Sequence, residues 1–307
     1  MPLIPALVIY HRNCIDGFAG ATVAFMAGII KTKSQLYPDV PSSTTVLVDK
    51  IKGREVYIID VAYPLPVVKE ICKSAKKVTF IDHHLTTEAF ATNHGIPNLI
   101  VVYNKSVCGG VNAWKHFFRD APMPKALEYI NDNDTGTWTL PDTKAFTAGV
   151  ELKMSFQANT TTLEQWKALF TSATKVTEII SEGQQYEKYR AIIAQANRSR
   201  IELVNFPGPS AKLKEKFKKQ YKVALINASC PTVTTLGNAI LEMEKPAFDL
   251  VAMWWYSFKN NTYSISFRSK TVDVHEIAKL FGGGGHKLAA ACIVPATEYT
   301  IRDIFGA

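Results

Sequence analysis

Short apolar runs, each closed by an ionisable or polar residue, recur through the first hundred positions: Leu7 to Tyr10, Glu55 to Ile59, Lys77 to Ile81 and Leu99 to Tyr103. They are too short for helices and rich in β-branched and aromatic residues, so they read as buried strands. Leu65 to Lys76 has Val67, Val68, Ile71 and Cys72 at helical spacing and ends in lysines, which suits the negative end of a helix. Strand, helix, strand in that order is a βαβ unit, and the sheet is expected to be parallel. Val107 to Phe118 reads as a helix that carries Gly109-Gly110, a costly pair that points to close backbone approach by some other group. Lys125 to Ile130 then leads into Asn131-Asp132-Asn133-Asp134-Thr135-Gly136, whose alternating acids and amides read as a turn, with Trp138 beyond it as a core or hinge aromatic.

The second half changes character. Leu163 to Asn197 is helical and polar on one face, and the turn-rich Phe206-Pro207-Gly208-Pro209 lies just past an expected domain boundary. Tyr221 to Asn227, Phe248 to Ser257 and Thr262 to Phe267 are expected strands, with helices over Thr234 to Met243 and Val274 to Leu280. The fold class is therefore α/β: a mostly parallel sheet with helices on both faces over residues 1–160, a helical linker over 161–200, and a smaller C-terminal α/β domain over 201–307. A chain of 307 residues is long enough to give each domain its own core.

Composition narrows the class. Hydrophobic content of 47% and charged content of 20% are those of a globular protein. No apolar stretch approaches the roughly 20 residues of a membrane span, and Met1 to Tyr10 lacks the basic leader and cleavage site of a signal peptide, so a cytoplasmic protein is expected. The five cysteines, Cys14, Cys72, Cys108, Cys230 and Cys292, form no C-x-x-C pair, which argues for reduced thiols rather than a zinc finger or disulfide framework. A net charge of +8 favours an anionic partner. Part of that excess is the local cluster Lys212, Lys214, Lys216, Lys218 and Lys219, which suits either a solvated helix face or a polyanion-binding edge.

Candidate chemistry gathers where strands end. Asp82-His83-His84 follows the third run directly, and open α/β sheets bind ligands outside the C-terminal ends of their strands. Three ionisable groups after a core strand need partners, and a mixed imidazole and carboxylate shell suits divalent ions such as Mn, Fe, Co or Zn. The plain alternative is an aspartate capping the next helix with two surface histidines. His11 and Asp16 leave the first strand at the same edge, Asp16 beside Gly17 at a helix start, and Asp60 closes the second run. In the second half, Gly282-Gly283-Gly284-Gly285-His286-Lys287 reads as glycines running into a helix start, the ingredients of a phosphate cradle with Arg268 and Lys287 as anion partners.

Taken together, these residues resemble the DHH phosphoesterase superfamily over nearly the whole chain: four acidic or histidine elements in the family's order, then a GGGH run of the kind found in its C-terminal substrate domain. The resemblance implies a two-metal phosphohydrolase, usually with manganese (Mg2+, Co2+ or Zn2+ also fitting), that works in a cleft between domains. It assigns His11, Asp16, Asp60 and His83 as metal ligands, with Asp60 bridging two ions, Asp82 orienting His83, and His84 facing the phosphoryl group. Asp134 would be the last ligand, with Asp132 as the fallback, and Arg268 with Gly283, Gly284, Gly285 and His286 would hold the substrate phosphate. One element departs from the pattern. The family's first element usually carries two aspartates spaced Asp-x-Asp, whereas this chain has Cys14-Ile15-Asp16. Either Cys14 stands for the first aspartate, or the register differs by one and Phe18 stands for the second; the former places Gly17 at the helix start. A thiolate there would favour a softer ion such as zinc.

The expected function is hydrolysis of a phosphodiester or phosphomonoester in a small nucleotide or short single-stranded oligonucleotide, in the manner of the family's short-RNA exonucleases, pAp phosphatases and cyclic-dinucleotide phosphodiesterases. A homodimer would be compatible with it. The alternative is a nucleotide-binding or regulatory protein that keeps the fold without hydrolysis. An inorganic pyrophosphatase of the same superfamily fits less well, because it lacks the GGGH run.

Overall fold

The computed structural model describes residues 5–41, 43, 48–92, 95–228, 233–242 and 247–306. Cys230, Met243 and the side chain of His286, all singled out from the sequence, lie outside the described residues. The chain divides into two compact units, Met1–Glu187 and Lys188–Ala307.

In the first unit the order is β1 (Leu7–His11), α1 (Ile15–Met26), β2 (Leu36–Asp39), α2 (Val48–Ile51), β3 (Glu55–Ile59), α3 (Leu65–Ser74), β4 (Lys77–Asp82), α4 (Leu85–Glu88), β5 (Leu99–Tyr103), α5 (Gly109–Phe118), α6 (Lys125–Asp134), α7 (Thr143–Lys153), α8 (Thr160–Thr171) and the start of α9 (Ala173–Asn197). The strands form a five-stranded sheet in the order β2-β1-β3-β4-β5, and every pairing is parallel. Alternation along the strands loads both faces. Leu7, Ile9, Val56, Ile58, Val78 and Phe80 pack with Val68 and Ile71 of α3, while Val8, Tyr10, Ile59 and Ile81 pack with residues of α1, α5, α6 and α8. The expected parallel sheet with helices on both faces is therefore present.

Two readings change. Asn131 to Asp134 are not a turn but the last turn of α6, and the chain turns only after Thr135. The amides and acids keep helical dihedrals because Tyr129 and Ile130, on the buried face, tie that segment to the core. Trp138 is not a core residue: it is 48% exposed, at a left-handed φ of 51°.

The second unit contains β6 (Glu202–Phe206), α10 (Ala211–Lys216), β7 (Tyr221–Asn227), α11 (Val233–Leu241), β8 (Leu250–Ser257), β9 (Thr262–Arg268), α12 (Val274–Lys279), β10 (Gly284–His286), β11 (Ala289–Pro295) and α13 (Ile301–Ile304). Its six-stranded sheet has the order β10-β11-β9-β8-β7-β6 and is antiparallel except between β7 and β8. Phe206, Phe267, Val274, Ile277 and Ile304 build one core cluster, and Ile226, Leu236, Ile240 and Met253 another. Lys212, Lys214, Lys216, Lys218 and Lys219 are all exposed around the buried Leu213. The glycine run does not start a helix. Gly284 to His286 form a strand paired with β11, because Gly283 and Gly285 lie against it: a Cβ on Gly283 would come within 2.2 Å of the Ala291 carbonyl, and one on Gly285 within 2.6 Å of the Ala289 carbonyl. Among the described residues no helix is long and apolar enough to cross a membrane.

In the first unit α7 and α9 meet at glycines. A Cβ on Gly183 would lie 1.7 Å from the Ala145 carbonyl oxygen, and its other near contact is the Gly149 amide. Backbone cannot yield as a flexible side chain can. Gly183→Ala is expected to lower unfolding stability by about 1–3 kcal/mol, measured by denaturant titration, despite the better helix propensity of alanine.

Candidate metal centre

The parallel sheet delivers its polar residues to one edge. β1 ends at His11, β3 runs directly into Asp60, and β4 ends at Asp82 with His83 and His84 following. Asp60 takes a left-handed φ of 61°, uncommon for a residue with a Cβ, while its amide still donates to the Ile81 carbonyl at 3.0 Å. The carboxylate is 2% exposed and turned to two rings at once: Oδ1 lies 3.3 Å from His83 Nε2, and Oδ2 lies 3.4 Å from His11 Nδ1. His83 Nε2 also lies 3.3 Å from Asp134 Oδ2 and 4.0 Å from Asp16 Oδ2. His11, Asp16, Asp60, His83 and Asp134, named from scattered parts of the sequence, thus converge.

Asp16 is not a cap for its own helix. It is 1% exposed, and it accepts from the backbone amides of Gly109 at 2.7 Å and Gly110 at 2.8 Å. The positive end of α5 therefore holds the carboxylate of α1. This is the close approach that the glycine pair permits: a Cβ on Gly109 would meet Asp60 Cβ at 2.8 Å, and one on Gly110 would meet Asp16 Oδ1 at 2.9 Å.

Asp82 corrects two readings. It is fully buried, so it is no exposed helix cap, and the ring it holds is His84 rather than His83: Oδ1 meets His84 Nδ1 at 2.7 Å. Its other oxygen accepts from the Thr87 hydroxyl, and its backbone carbonyl accepts from Asn112 Nδ2 at 3.1 Å. His84 is next to the centre, with Nδ1 3.9 Å from Asp60 Oδ1 and its side chain 37% exposed. Thr87, Asn112 and the amides of Gly109 and Gly110 escaped the sequence reading. Only the glycine pair left a signal, since Thr and Asn at loop and helix positions are too common to stand out.

Asp132, the fallback ligand, is turned to other partners and belongs to none of the donor groups found among the described residues. Oδ1 accepts from the Thr137 hydroxyl at 2.7 Å and from the Thr139 amide and hydroxyl at 2.8 Å. Oδ2 accepts from the Leu140 amide at 3.1 Å and from the Thr143 hydroxyl. Burial opposes its ionisation, yet these donors outweigh that and hold its carboxyl well below the usual range. Asp132 fastens α6 to the segment leading into α7, which leaves Asp134 as the carboxylate at the centre. Cys14, at the start of α1, has its Sγ 3.4 Å from Asp60 Oδ2, whereas Phe18 is a core residue packed edge-on against Tyr10 and Phe156 and tilted against Trp166. The alignment that puts Cys14 in the donor set is therefore the one the fold follows.

The electrostatics show a centre short of positive charge. Burial and the charges of Asp60 and Asp134 push the Asp16 carboxyl well up, against the hydrogen bonds that Cys108 and Gly110 give it. Burial and Asp60 likewise raise Asp134, and burial with Asp60 and Asp16 raises the Cys14 thiol. Burial alone would make His83 harder to protonate, but Asp60, Asp16 and Asp134 override it and push its pKa up to about 9. For Asp60, burial is outweighed by His11, His83 and His84, and its carboxyl is held low. Proton affinity is thus raised where a cation would otherwise sit. Among the described residues, three groups of donors lie within 4.8 Å of one another: Asp60, Asp82, His83 and His84; His11, Cys14 and Asp60; and Asp16, His83 and Asp134. Carboxylate and imidazole donors converging in this way fit divalent ions.

Comparison with known proteins agrees with this architecture. Residues 231–302 match the DHHA1 domain family. The solved structure of PggH, a pGpG-specific phosphodiesterase from Vibrio cholerae, shares the fold at 12% identity, with a TM-score of 0.54 over 96% of this chain and 95% of that one. The chain thus carries a match to the DHHA1 domain and shares the fold of this phosphodiesterase. The chain is also similar to an uncharacterized protein of Acanthamoeba polyphaga mimivirus, 27% identical over 298 residues, which cover 92% of this chain and 66% of that protein, just under two thirds of its length. RecJ from Thermus thermophilus, solved with Mn2+, matches at 14% identity and a TM-score of 0.45, over 94% of this chain and 49% of RecJ.

Three expectations follow from this geometry. Asp132→Ala removes the acceptor of the buried Thr143 hydroxyl and of the donors that tie α6 to the segment before α7, and is expected to cost about 1–3 kcal/mol of stability, read by denaturant titration. Asp134→Ala removes a carboxylate from among like charges, so thermal melts without metal should show the protein equally or more stable while divalent-ion binding, followed by calorimetry, is lost. The metal-free protein should also weaken as pH rises. The raised His83 contributes stability that is complete below its ordinary pKa of 6.5 and is lost as pH climbs through about 9, and the raised Asp16 and Asp134 act in the same direction. Melting in a chelator should therefore occur at a lower temperature at pH 9 than at pH 6.5, and a saturating divalent ion should flatten that difference.

Proposed function

We propose that the chain is a metal-dependent phosphoester hydrolase acting on small nucleotides or short oligonucleotides. The observation that carries the reading is the Asp60 carboxylate, whose two oxygens are presented to two separate histidines, His11 and His83, at the C-terminal edge of a parallel sheet. Each oxygen belongs to a different set of donors, so one carboxylate can serve two neighbouring cations. His11, Asp16, His83 and Asp134 would complete the two sets, with Mn2+ the first ion to test. When bound, such ions supply the positive charge that activates water and neutralises phosphoryl oxygens.

The remaining groups have roles that need no covalent nucleophile. Asp82 fixes the His84 ring through Nδ1 and, with that hydrogen bond as the largest influence, raises its pKa. His84 is thereby aimed and made easier to protonate, suited to hydrogen-bond a phosphoryl oxygen or to give a proton to the leaving oxygen. In the second unit the strand register puts His286, Ala289 and Arg268 in one row across β10, β11 and β9. The Arg268 guanidinium donates to the Phe267 carbonyl at 2.8 Å and is half-buried, and burial lowers its pKa. An arginine in register with the end of the glycine strand, where Gly284 leaves the space over its backbone open, supports phosphate binding by Arg268, Gly283, Gly284, Gly285 and His286. The fold shared with a phosphodiesterase named for pGpG makes dinucleotides the first substrates to assay.

The competing reading, nucleotide binding without hydrolysis, draws on Cys14 standing in the donor set. Mn2+-loaded protein assayed against linear dinucleotides, pAp and cyclic dinucleotides separates the two. Turnover is expected on at least one, with chelator abolishing it and Asp60→Asn lowering kcat/KM by at least about 100-fold. Metal and nucleotide binding without turnover on any of them would leave the binding reading in its place.

A further inference from the structure

We propose that the centre is built for two unlike cations, and that Cys14 makes one position sulfur-bound and selective for a softer ion such as Zn2+ over Mn2+. The inference rests on the metal centre proposed above and adds which ion each half selects. The three donor groups are not chemically equivalent. Asp16, His83 and Asp134 offer only oxygen and nitrogen, whereas His11, Cys14 and Asp60 offer nitrogen, sulfur and oxygen. Cys14 Sγ and His11 Nδ1 approach the same oxygen, Asp60 Oδ2, each at 3.4 Å, so the three donor types converge on one point. Thiolate and imidazole favour zinc over manganese, while carboxylates and a single imidazole favour the harder ion.

The backbone leaves Cys14 little choice of direction. It is the residue before the first turn of α1, at extended φ −115° and ψ 134°, and its carbonyl already accepts the Phe18 amide at 3.0 Å. The rival role is a thiol that merely donates to Asp60. The other thiol of the region, Cys108, is fully buried and belongs to none of the donor groups found among the described residues.

Cobalt titration of the full-length, metal-free chain decides the matter, because a thiolate on Co2+ gives an intense near-ultraviolet charge-transfer absorption that oxygen and nitrogen donors do not. The wild-type chain should show this band, and Cys14→Ser and Cys14→Asp should both lack it while still binding cobalt. Cys14→Asp restores a carboxylate of near-equal size and guards against a variant that fails to fold. Dialysis against mixed Zn2+ and Mn2+ should leave one of each on the wild type, and the preference for zinc at this position should drop roughly tenfold or more in Cys14→Asp. Cobalt bound to the wild type without the band, or a band that survives Cys14→Ser, overturns the inference and leaves the metal centre standing. No divalent ion bound to the wild type overturns both.

Discussion

Negative charge crowded into a dry edge of a sheet is the constraint on which the first unit depends. Asp16, Asp60 and Asp134 come within 4.0, 3.3 and 3.3 Å of the one nitrogen of His83, and Asp16 and Asp60 are almost wholly buried. Like charges so placed work against folding, and in the metal-free chain they raise the proton affinity of Asp16, Asp134 and His83. An arrangement that costs stability and has no structural use in the core is what a binding site looks like from the side of the protein.

The scaffold tolerates that crowding because each acid is supported differently. Asp16 rests on the amides that open α5, which is possible only because two glycines let a carboxylate from another helix come within hydrogen-bonding distance. Asp60 shares itself between two imidazoles. Asp134 sits at the last residue of α6, where the helix dipole already disfavours an anion, and its compensation comes from His83. Asp82, one step further back, gives its charge to His84 and takes a hydroxyl from Thr87, so that the exposed ring is fixed by a buried acid.

Much of this was legible in the sequence because a parallel sheet makes strand ends meaningful. Once Leu7 to Tyr10, Glu55 to Ile59 and Lys77 to Ile81 read as parallel strands, His11, Asp60 and the Asp82-His83-His84 triplet had to share an edge. Other features were hidden because local composition is ambiguous. Asn131 to Asp134 has the residues of a turn, yet packing of Tyr129 and Ile130 carries the helix through it, and tertiary contact outweighs weak propensity. Asp132 and Asp134 are the same residue type two positions apart, and only the threonines beyond Gly136 decide which is structural. The glycine run misled in the opposite direction: Gly283 and Gly285 are explained by a hairpin partner, and a partner strand is not visible from the run itself.

A fold shared with another protein at 12% identity says how a backbone can be arranged, and little about which atoms face the substrate. Chemistry enters through donors at a few strand ends, and these can change while every hydrogen bond of the sheet stays in place. Position 14 illustrates the separation. Its backbone serves α1 through the carbonyl bonded to Phe18, a duty any residue could perform, while its side chain alone decides whether sulfur or oxygen faces Asp60. Selection on stability is therefore nearly blind to that side chain, and selection on the bound cation sees almost nothing else. Where the two pressures separate so cleanly, a single substitution can move a site from one metal to another without disturbing the fold around it.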